Sequence, residues 1–375
     1  MKFYALTAAM AVLIAGTFVS CDKNGKTFNL GAVAPATGEA ATFGLASHNG
    51  TDLAVAEWNA KGGVLGKQVK LVFADDKGDP AEGATVFTKL IEQDKVKAVV
   101  GTVMSKVSLA GAPICQSAKI PMISPTSTNP KVTAVGDYIF RACFIDPFQG
   151  TVGAKFSYDE LKAKKAACLF DVGNDYTKGL AEFFKAKFTA LGGEVTAFEG
   201  HATGTPDFKA QLTKILATKP DVLYVSDYYN DVALIAKQAR ELGFKGPLVG
   251  GDGWDSPKLC EVGGVAMNGC FFTNHYAKDD TRPIIQDFVA KYKAKFNADP
   301  DALACLAYDA TYLVLDAVKR ANSADGTAIR DALKSTDMAV VSGQVKFDQD
   351  RNPVKSAVVI EIKDGKFVYR ASVNP

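Results

Sequence analysis

The chain reads VKAVVGTVMS over residues 96–105, an apolar run followed by a turn and a hydroxyl residue. The run Val96–Val100 is rich in β-branched residues and is bounded by turn signals, which is typical of a buried strand. Serine favours the start of a helix, so we expect a helix to follow Ser105. This strand-to-helix unit decides the fold, because parallel sheets are built from such units.

The same alternation of apolar runs and helical patterns extends from this unit in both directions and then restarts. The strands predicted in this way are 28–34, 69–74, 96–100 and 121–123 in the first series, and 166–170, 222–225 and 247–250 in the second. Strands that alternate with helices form parallel sheets through right-handed crossovers. The sequence therefore predicts an α/β fold with two doubly wound lobes of similar design.

The C-terminal tail has a different pattern. Residues 345–347 and 357–362 alternate between apolar and polar side chains around the polar turn 348–353, which predicts an antiparallel hairpin continued by Asp364-Gly365. No low-complexity linker separates the two series of strands. We therefore expect the chain to cross between the lobes more than once.

Length and composition exclude several classes of protein. The 375 residues predict two or three domains, and 47% hydrophobic with 22% charged residues excludes long disorder and fibrous structure. The 43 basic residues nearly balance the 41 acidic ones, and no basic run is dense enough to contact a phosphate backbone. This balance disfavours nucleic-acid binding.

The N-terminus is typical of an export signal. Met1-Lys2 is followed by an apolar or small run to Ser20, with no further charge until Asp22. Phe18-Val19-Ser20-Cys21 resembles a bacterial lipobox, although Phe18 stands where leucine is preferred. We expect residues 1–20 to be a signal peptide and Cys21 to carry a diacylglycerol lipid. Ordinary secretion and an uncleaved anchor are the alternatives.

The other cysteines show no metal or redox pattern. They are Cys115, Cys143, Cys168, Cys260, Cys270 and Cys305. No Cys-x-x-Cys and no Cys/His cluster with zinc spacing occurs. Cys260 and Cys270 are close enough in sequence to pair in an exported protein, and that pairing stays open. The rest lie in apolar stretches, where a free cysteine packs as a small core residue.

Catalytic motifs are missing from the sequence. It contains no Gly-x-Ser-x-Gly, His-Glu-x-x-His or phosphate-binding loop. His48, His201 and His275 are scattered, and we interpret them as surface or capping residues. Asp75-Asp76 and Asp279-Asp280 are adjacent pairs that point to opposite faces, so we interpret them as solvated strand ends. We expect no enzyme, no metal and no cofactor other than the lipid.

Residues suited to ligand binding follow the predicted strands instead. Open parallel sheets bind ligands beyond the carboxyl ends of their strands. In the first series these positions carry Ser105 and the hydroxyl-rich run 124–130, and in the second series Tyr176, Tyr228 and Asp252. Hydroxyls and a helix N-terminus suit a carboxylate, aspartate suits an ammonium, and aromatic rings suit an apolar group. Together these residues predict a site for a zwitterion with an apolar side chain. Each residue taken alone could equally be a helix cap, a turn residue or a core residue.

Four short motifs then indicate a family. They are residues 58–66 (WNAKGGVLG), Asp75-Asp76 with Asp79-Pro80, residues 124–128 (SPTST), and residues 307–310 (AYDA). From Phe28 to about Ile362 the chain resembles the branched-chain amino-acid-binding proteins that feed ABC importers. The resemblance implies the periplasmic binding protein type I fold, two lobes joined by three crossovers. It also implies a ligand that is captured when the lobes close about a hinge.

The resemblance also implies roles for individual residues. By position, Ser105 and Thr128 hold the ligand carboxylate, Thr126 meets the α-carbon groups through its backbone, and Asp252 binds the ammonium. Tyr176 and Tyr228 match aromatics of the closing lobe, Phe43 matches an aromatic of the opening lobe, and Asp146 falls on a position at the first crossover. Phe43 stands where tyrosine or tryptophan is common, and Asp252 is one methylene shorter than the glutamate of leucine-type members. Gly78 and Met104 replace a disulfide that some members have.

The implied lobes are 28–145 with 275–353 and 146–274 with 360–375. The implied partners are a small ligand, an L-amino acid with an apolar or branched side chain, and an ABC permease, with the protein itself a monomer. Two alternatives remain within this fold: a ligand-sensing receptor, and a binding protein for amides, urea or polar amino acids. An exported enzyme and a DNA-binding repressor are rivals that the sequence does not support.

Overall fold

The computed structural model describes residues 27–375. The predicted signal peptide 1–20 and the predicted lipid site Cys21 lie outside these residues. Within residues 27–375, no helix has both the length and the apolar character that a membrane span requires.

The first lobe contains a five-stranded parallel sheet in the order β2-β1-β3-β4-β5. Its strands are β1 (Thr27–Ala34), β2 (Gln68–Asp75), β3 (Ala98–Gly101), β4 (Met122–Ser124) and β5 (Ile139–Arg141). Their helices are α1 (Ala41–Ala60), α2 (Pro80–Glu92), α3 (Ser105–Ala118) and α4 (Lys131–Ala134). Helix α2 shows why the boundaries fall where they do: Asp79 accepts hydrogen bonds from the Ala81 and Glu82 amides, and Pro80 takes the first helical position.

The second lobe contains a seven-stranded sheet in the order β14-β13-β10-β9-β8-β6-β7. Its strands are β6 (Lys165–Asp171), β7 (Glu194–His201), β8 (Val222–Val225), β9 (Leu248–Gly250), β10 (Cys270–Asn274), β13 (Ala357–Lys363) and β14 (Lys366–Val373). Its helices are α5 (Asp146–Lys155), α6 (Asp175–Ala190), α7 (Lys209–Ala217), α8 (Tyr229–Glu241) and α9 (Pro257–Gly263). Five neighbouring strands of this sheet, β7, β6, β8, β9 and β10, are parallel. Their order in the sheet corresponds to the order β2-β1-β3-β4-β5 of the first sheet.

Between β10 and β13 the chain returns to the first lobe. This segment holds α10 (Pro283–Phe296), α11 (Ala302–Ala321), α12 (Gly326–Lys334) and the two-stranded sheet of β11 (Asp337–Val340) and β12 (Gly343–Lys346). Helix α11 packs closely on α1. A Cβ on Gly50 of α1 would lie 2.0 Å from the carbonyl oxygen of Ala304, so only glycine permits this approach.

The α/β class with two doubly wound lobes is confirmed by these sheets. The strands of residues 27–141 form the first sheet, and those of 165–274 and 357–373 form the second. The residue limits that we assigned to the lobes stay a prediction.

The predicted hairpin between residues 345–347 and 357–362 is wrong. Strand β12 pairs with β11, whereas β13 pairs with β10 and forms its hairpin with β14 around Asp364-Gly365. Val345 is buried with the core of the first lobe, and Val359 with that of the second. Alternation identifies a half-buried strand but does not specify its partner, which is why the sequence pattern misled us.

All six cysteines within residues 27–375 are free thiols, including Cys260 and Cys270, whose pairing had stayed open. Five are buried, as expected of small core residues, and Cys260 is partly exposed. Burial raises the pKa of the Cys260 thiol to about 11.

Candidate ligand-binding site

The carboxyl ends of the two sheets face each other across a cleft between the lobes. Both sheets change strand order beside their first strand, at β1/β3 and at β6/β8, and ligands bind at such switch points. The cavity in the cleft is lined by Phe43, Val103, Ser105, Thr126, Tyr176, Tyr228, Asp252, Gly253, Asn274, His275, Ala302 and Leu303. Six of the eight predicted ligand-binding residues therefore meet in one cavity.

The edge from the first lobe presents hydroxyls and a helix N-terminus. Helix α3 begins at Ser105 without a side-chain cap, and the Ser105 Oγ accepts a hydrogen bond from the Asn129 amide at 3.3 Å. Thr126 donates through Oγ1 to the carbonyl oxygen of Val103 at 3.0 Å, which joins the loop after β4 to the loop after β3. Uncapped amides at the start of a helix favour an anionic group such as a carboxylate.

Two buried charged residues hold this edge in place. Arg141 on β5 is fully buried and donates to the carbonyl oxygens of Ser127 and Asn129, the latter at 2.9 Å. Asp76 accepts a hydrogen bond from the Gly78 amide at 2.8 Å and another from the Thr102 hydroxyl. Our interpretation of Asp76 as a solvated strand end is therefore wrong, because its side chain lies inside the first lobe.

The edge from the second lobe is centred on Asp252, in a 3₁₀ turn directly after β9. Its Oδ1 accepts hydrogen bonds from the Tyr176 hydroxyl at 2.9 Å and from Gln149 Nε2 at 3.1 Å. Its Oδ2 lies 2.9 Å from His275 Nε2. The Gln149 Oε1 in turn accepts from the Asp252 amide at 2.8 Å. Three side chains thus fix one buried carboxylate at the cavity wall.

The interpretation of His201 and His275 as surface or capping residues is wrong. His275 is buried, stacks on Phe144 with ring centroids 3.7 Å apart, and contacts Asp252. Burial lowers the pKa of His275 despite that contact, so the ring is neutral at pH 7. His201 is buried 3.2 Å from Asp227. Burial alone would lower the pKa of His201, but the hydrogen bond and charge of Asp227 prevail and raise it to about 9.

Thr128 and Asp146 lie behind the cavity wall rather than in it. Asp146 opens α5 next to the cleft; its amide donates to the Thr128 carbonyl oxygen at 3.0 Å, and its Oδ1 accepts from Gln149 Nε2 at 3.3 Å. Gln149 therefore bridges Asp146 and Asp252. Burial, reinforced by the charge of Asp252, raises the pKa of Asp146 to about 7.

Aromatic and aliphatic side chains complete the cavity. Tyr176 stacks on Tyr228 with ring centroids 5.2 Å apart, and Phe43 meets Tyr228 edge-on at 5.8 Å. Leu303, at the start of α11, adds an aliphatic contact. These groups suit an apolar ligand side chain.

The lobes are closed in this structure. The enclosed space is about 20 Å³, which has room for roughly one water. Contacts between the lobes include Tyr229 Oη to the Glu39 carbonyl oxygen at 2.5 Å, and Asp255 Oδ2 to the Ala302 amide at 2.7 Å. A larger cavity of about 710 Å³ adjoins the cleft at Asn274, but it lacks the hydroxyl edge. We place the site in the cleft on its chemistry, and a ligand of amino-acid size requires the lobes to separate.

Sequence reasoning missed Gln149, Asn274 and His275. Gln149 lies three residues after Asp146 on α5, a spacing that places both on one helix face and could have indicated it. Asn274 and His275 lie where the chain leaves β10 for the first lobe, and no local pattern marks such a crossing residue.

Comparisons with known proteins agree with this geometry. The family model described as periplasmic binding protein matches residues 27–366. A "Leu/Ile/Val-binding protein homolog 3" of Brucella melitensis is 34% identical over 301 residues, which covers 80% of each chain.

Two solved structures have the same architecture. A leucine-binding protein from Thermotoga maritima superposes with a TM-score of 0.89 at 40% identity, covering 92% of this chain and 99% of that one. A branched-chain amino-acid transporter substrate-binding protein from Streptococcus pneumoniae, in complex with isoleucine, gives 0.87 at 35% identity, covering 93% and 100%. The resemblance that the sequence motifs indicated is confirmed, and this chain belongs to the periplasmic binding protein family, among the solute-binding proteins of ABC transporters.

Proposed function

We propose that this protein captures an L-amino acid with an apolar, branched side chain between its lobes and delivers it to an ABC permease. The observation that carries the proposal is the position of Asp252, a buried carboxylate across the cavity from the Ser105 and Thr126 edge. An amino acid places its ammonium against the carboxylate and its carboxylate against the uncapped start of α3. Its side chain then lies against Phe43, Tyr228 and Leu303. The names of the relatives, which bind leucine, isoleucine and valine, support the same ligand class.

The proposal includes no chemistry on the ligand. Asp252 and His275 contact each other at the cavity, and in this proposal His275 positions the carboxylate that faces the ligand ammonium. The protein would act as a monomer, with no cofactor beyond a lipid anchor. A receptor that reports the ligand to a sensor protein is the alternative, and uptake by vesicles containing the permease separates the two.

A thermal-shift screen of the twenty amino acids, urea and acetamide tests the ligand class. A true ligand at about 100 times its dissociation constant adds about 2.7 kcal/mol to the free energy of unfolding. We expect leucine, isoleucine or valine to give the largest increase in melting temperature. An increase with an amide and with none of the amino acids would overturn the proposal.

Amino-acid affinity is expected to rise with pH across neutrality. The ligand ammonium, close to Asp252, favours the ionised form of Asp146, whose pKa is raised to about 7 in the closed structure. Binding therefore releases a proton from Asp146, while His275 stays neutral and buried Arg141 stays charged. Calorimetry in two buffers of different ionisation enthalpy measures that proton. Asp146→Asn should remove both the release and the pH dependence, and a proton release that survives in this variant would refute the assignment.

We propose that Cys21 carries a lipid, which anchors the exported protein to a membrane outside the cytoplasm. Cys21→Ser should abolish incorporation of an alkyne fatty acid and release the protein into the soluble fraction. The matched control is Cys260→Ser, which should label like the wild type. Equal labelling of the Cys21→Ser variant and the wild type would show that this cysteine is not the lipid site.

A further inference from the structure

Asn129 lies in the loop between β4 and α4 of the first lobe, beside the hydroxyl edge of the cleft. It is only 4% exposed. Its Nδ2 donates to the carbonyl oxygen of Asp175, the first residue of α6 in the second lobe, at 2.8 Å. A side-chain hydrogen bond therefore crosses the boundary between the lobes in the closed structure.

The other hydrogen bonds of Asn129 all lie within the first lobe. Its amide donates to Ser105 Oγ at 3.3 Å, and its carbonyl oxygen accepts from buried Arg141 at 2.9 Å. Its Oδ1 accepts from the Lys131 amide at 3.0 Å. Because Oδ1 is the atom that accepts within the first lobe, the donating Nδ2 is the atom directed at the second lobe. These bonds hold the side chain in place whether the lobes are open or closed.

Both ends of the bond between the lobes lead to the ligand site. In the first lobe Asn129 contacts Ser105, which the family resemblance assigns to the ligand carboxylate. In the second lobe Asp175 is followed by Tyr176, whose hydroxyl donates to Asp252 at 2.9 Å. When the lobes separate, Nδ2 and the Asp175 carbonyl oxygen face water instead of each other. The bond therefore belongs to the closed form, in which both ends of the ligand are held.

We propose that Asn129 is a positioning residue that keeps the lobes closed over the bound ligand. It does not line the cavity, so it acts through α6 and not by contact with the ligand. The exposed ion pair between Lys131 and Asp175, at 3.0 Å, lies beside it, but such pairs contribute little. Loss of a buried hydrogen-bond partner costs more, so Asn129 should control closure on this side of the cleft. The inference rests on the proposed capture of a ligand between the lobes.

The first test is Asn129→Asp, followed by stopped-flow fluorescence with leucine, or with the compound that gives the largest thermal shift. The variant keeps an acceptor for the Lys131 amide but turns an oxygen towards the Asp175 carbonyl oxygen. We expect the ligand to dissociate about tenfold faster or more. The association rate should change little, because the ligand enters the open form. Asp175→Asn is the control: it removes the ion pair but keeps the carbonyl oxygen, and its rates should stay within about twofold of the wild type.

A second pair of variants repeats the test without a new charge, because the carboxylate of Asn129→Asp also lies near the ligand carboxylate. A Cβ on Gly179 of α6 would lie 3.5 Å from Asn129 Nδ2, which is an ordinary contact. Gly179→Ala therefore fits and should bind like the wild type. Gly179→Val adds two stiff γ-methyl groups against Asn129 and should speed dissociation.

Urea unfolding without ligand separates closure from folding, and all four variants should have midpoints close to that of the wild type. A lower midpoint with an unchanged dissociation rate would assign Asn129 to loop stability and overturn the proposal. Faster dissociation in Asn129→Asp but not in Gly179→Val would be an effect of charge on the ligand and would also overturn it. So would a wild-type rate in Asn129→Asp. If the compound that binds is an amide, only the ligand class of the proposed function fails, since the rates are measured with that compound.

Discussion

Asp252→Ala is expected to weaken amino-acid binding by about 30-fold or more. Losing one member of a buried charge pair costs roughly 2–5 kcal/mol of binding, and about 1.4 kcal/mol corresponds to a factor of ten. The substitution removes the partner of the ligand ammonium and also strands three groups that now contact the carboxylate: Tyr176, Gln149 and His275. Titration calorimetry with leucine, isoleucine and valine measures the effect.

The fold should survive this change, with a loss of about 1–3 kcal/mol in the free energy of unfolding from the stranded donors. Asp252→Asn is the matched control, because it keeps a hydrogen-bonding side chain of the same size and removes only the charge. It should lose affinity while losing less stability than the alanine variant. If affinity is unchanged in both variants and only the unfolding midpoint falls, Asp252 serves the 3₁₀ turn and not the ligand.

Asp309→Ala is expected to destabilise the protein by about 3–5 kcal/mol, the usual cost of breaking a buried charged network. Asp309 on α11 is fully buried and accepts hydrogen bonds from the Val341 and Ser342 amides, both at 2.9 Å. Lys355 donates to the Ser342 hydroxyl and to the Ala142 carbonyl oxygen, the latter at 3.0 Å. The network therefore ties α11 to two segments that approach the crossings, and its loss leaves Lys355 buried without a counter-charge.

Urea unfolding followed by circular dichroism measures this loss. Asp316→Ala is the control on the same helix, because Asp316 makes only a partly exposed ion pair with Arg320 at 2.7 Å. That pair is worth about 0.5 kcal/mol or less. Equal destabilisation by the two substitutions would show that the buried network contributes nothing beyond an ordinary surface pair.

The sequence predicted the inner strands well, because these are continuous apolar runs bounded by turn residues. The strand predicted at 222–225 is observed as β8 with the same limits. Strand β1 begins one residue before the predicted strand, and β2 extends one residue beyond the predicted strand at each end. Strand β7 was missed because it lies at the edge of its sheet, with mostly half-buried side chains that give no clear pattern. Strand β10 was missed because its five residues end directly at a crossing.

The candidate site likewise contains some residues that could be predicted from the sequence and others that could not. Residues at the carboxyl ends of parallel strands, such as Ser105 and Asp252, could be predicted, because the sheet brings those ends to one edge. His275 and Gln149 could not be predicted to meet Asp252, since that contact depends on how the crossing segments return to the cleft. Asp76 was wrongly predicted to be solvated, because the sequence of the pair Asp75-Asp76 does not show which of the two side chains is buried in the lobe.

The most direct test compares leucine with 4-methylpentanoate, which has the same carboxylate and side chain but no ammonium. Both are titrated into the protein by calorimetry at pH 7. A site that holds the ammonium with buried Asp252 should bind leucine, isoleucine or valine with one ligand per chain, and should bind the corresponding acid without the amino group at least about 100-fold more weakly. Equal affinity for the amino acid and the acid, or binding of neither, would contradict the assignment of this cleft as an amino-acid site.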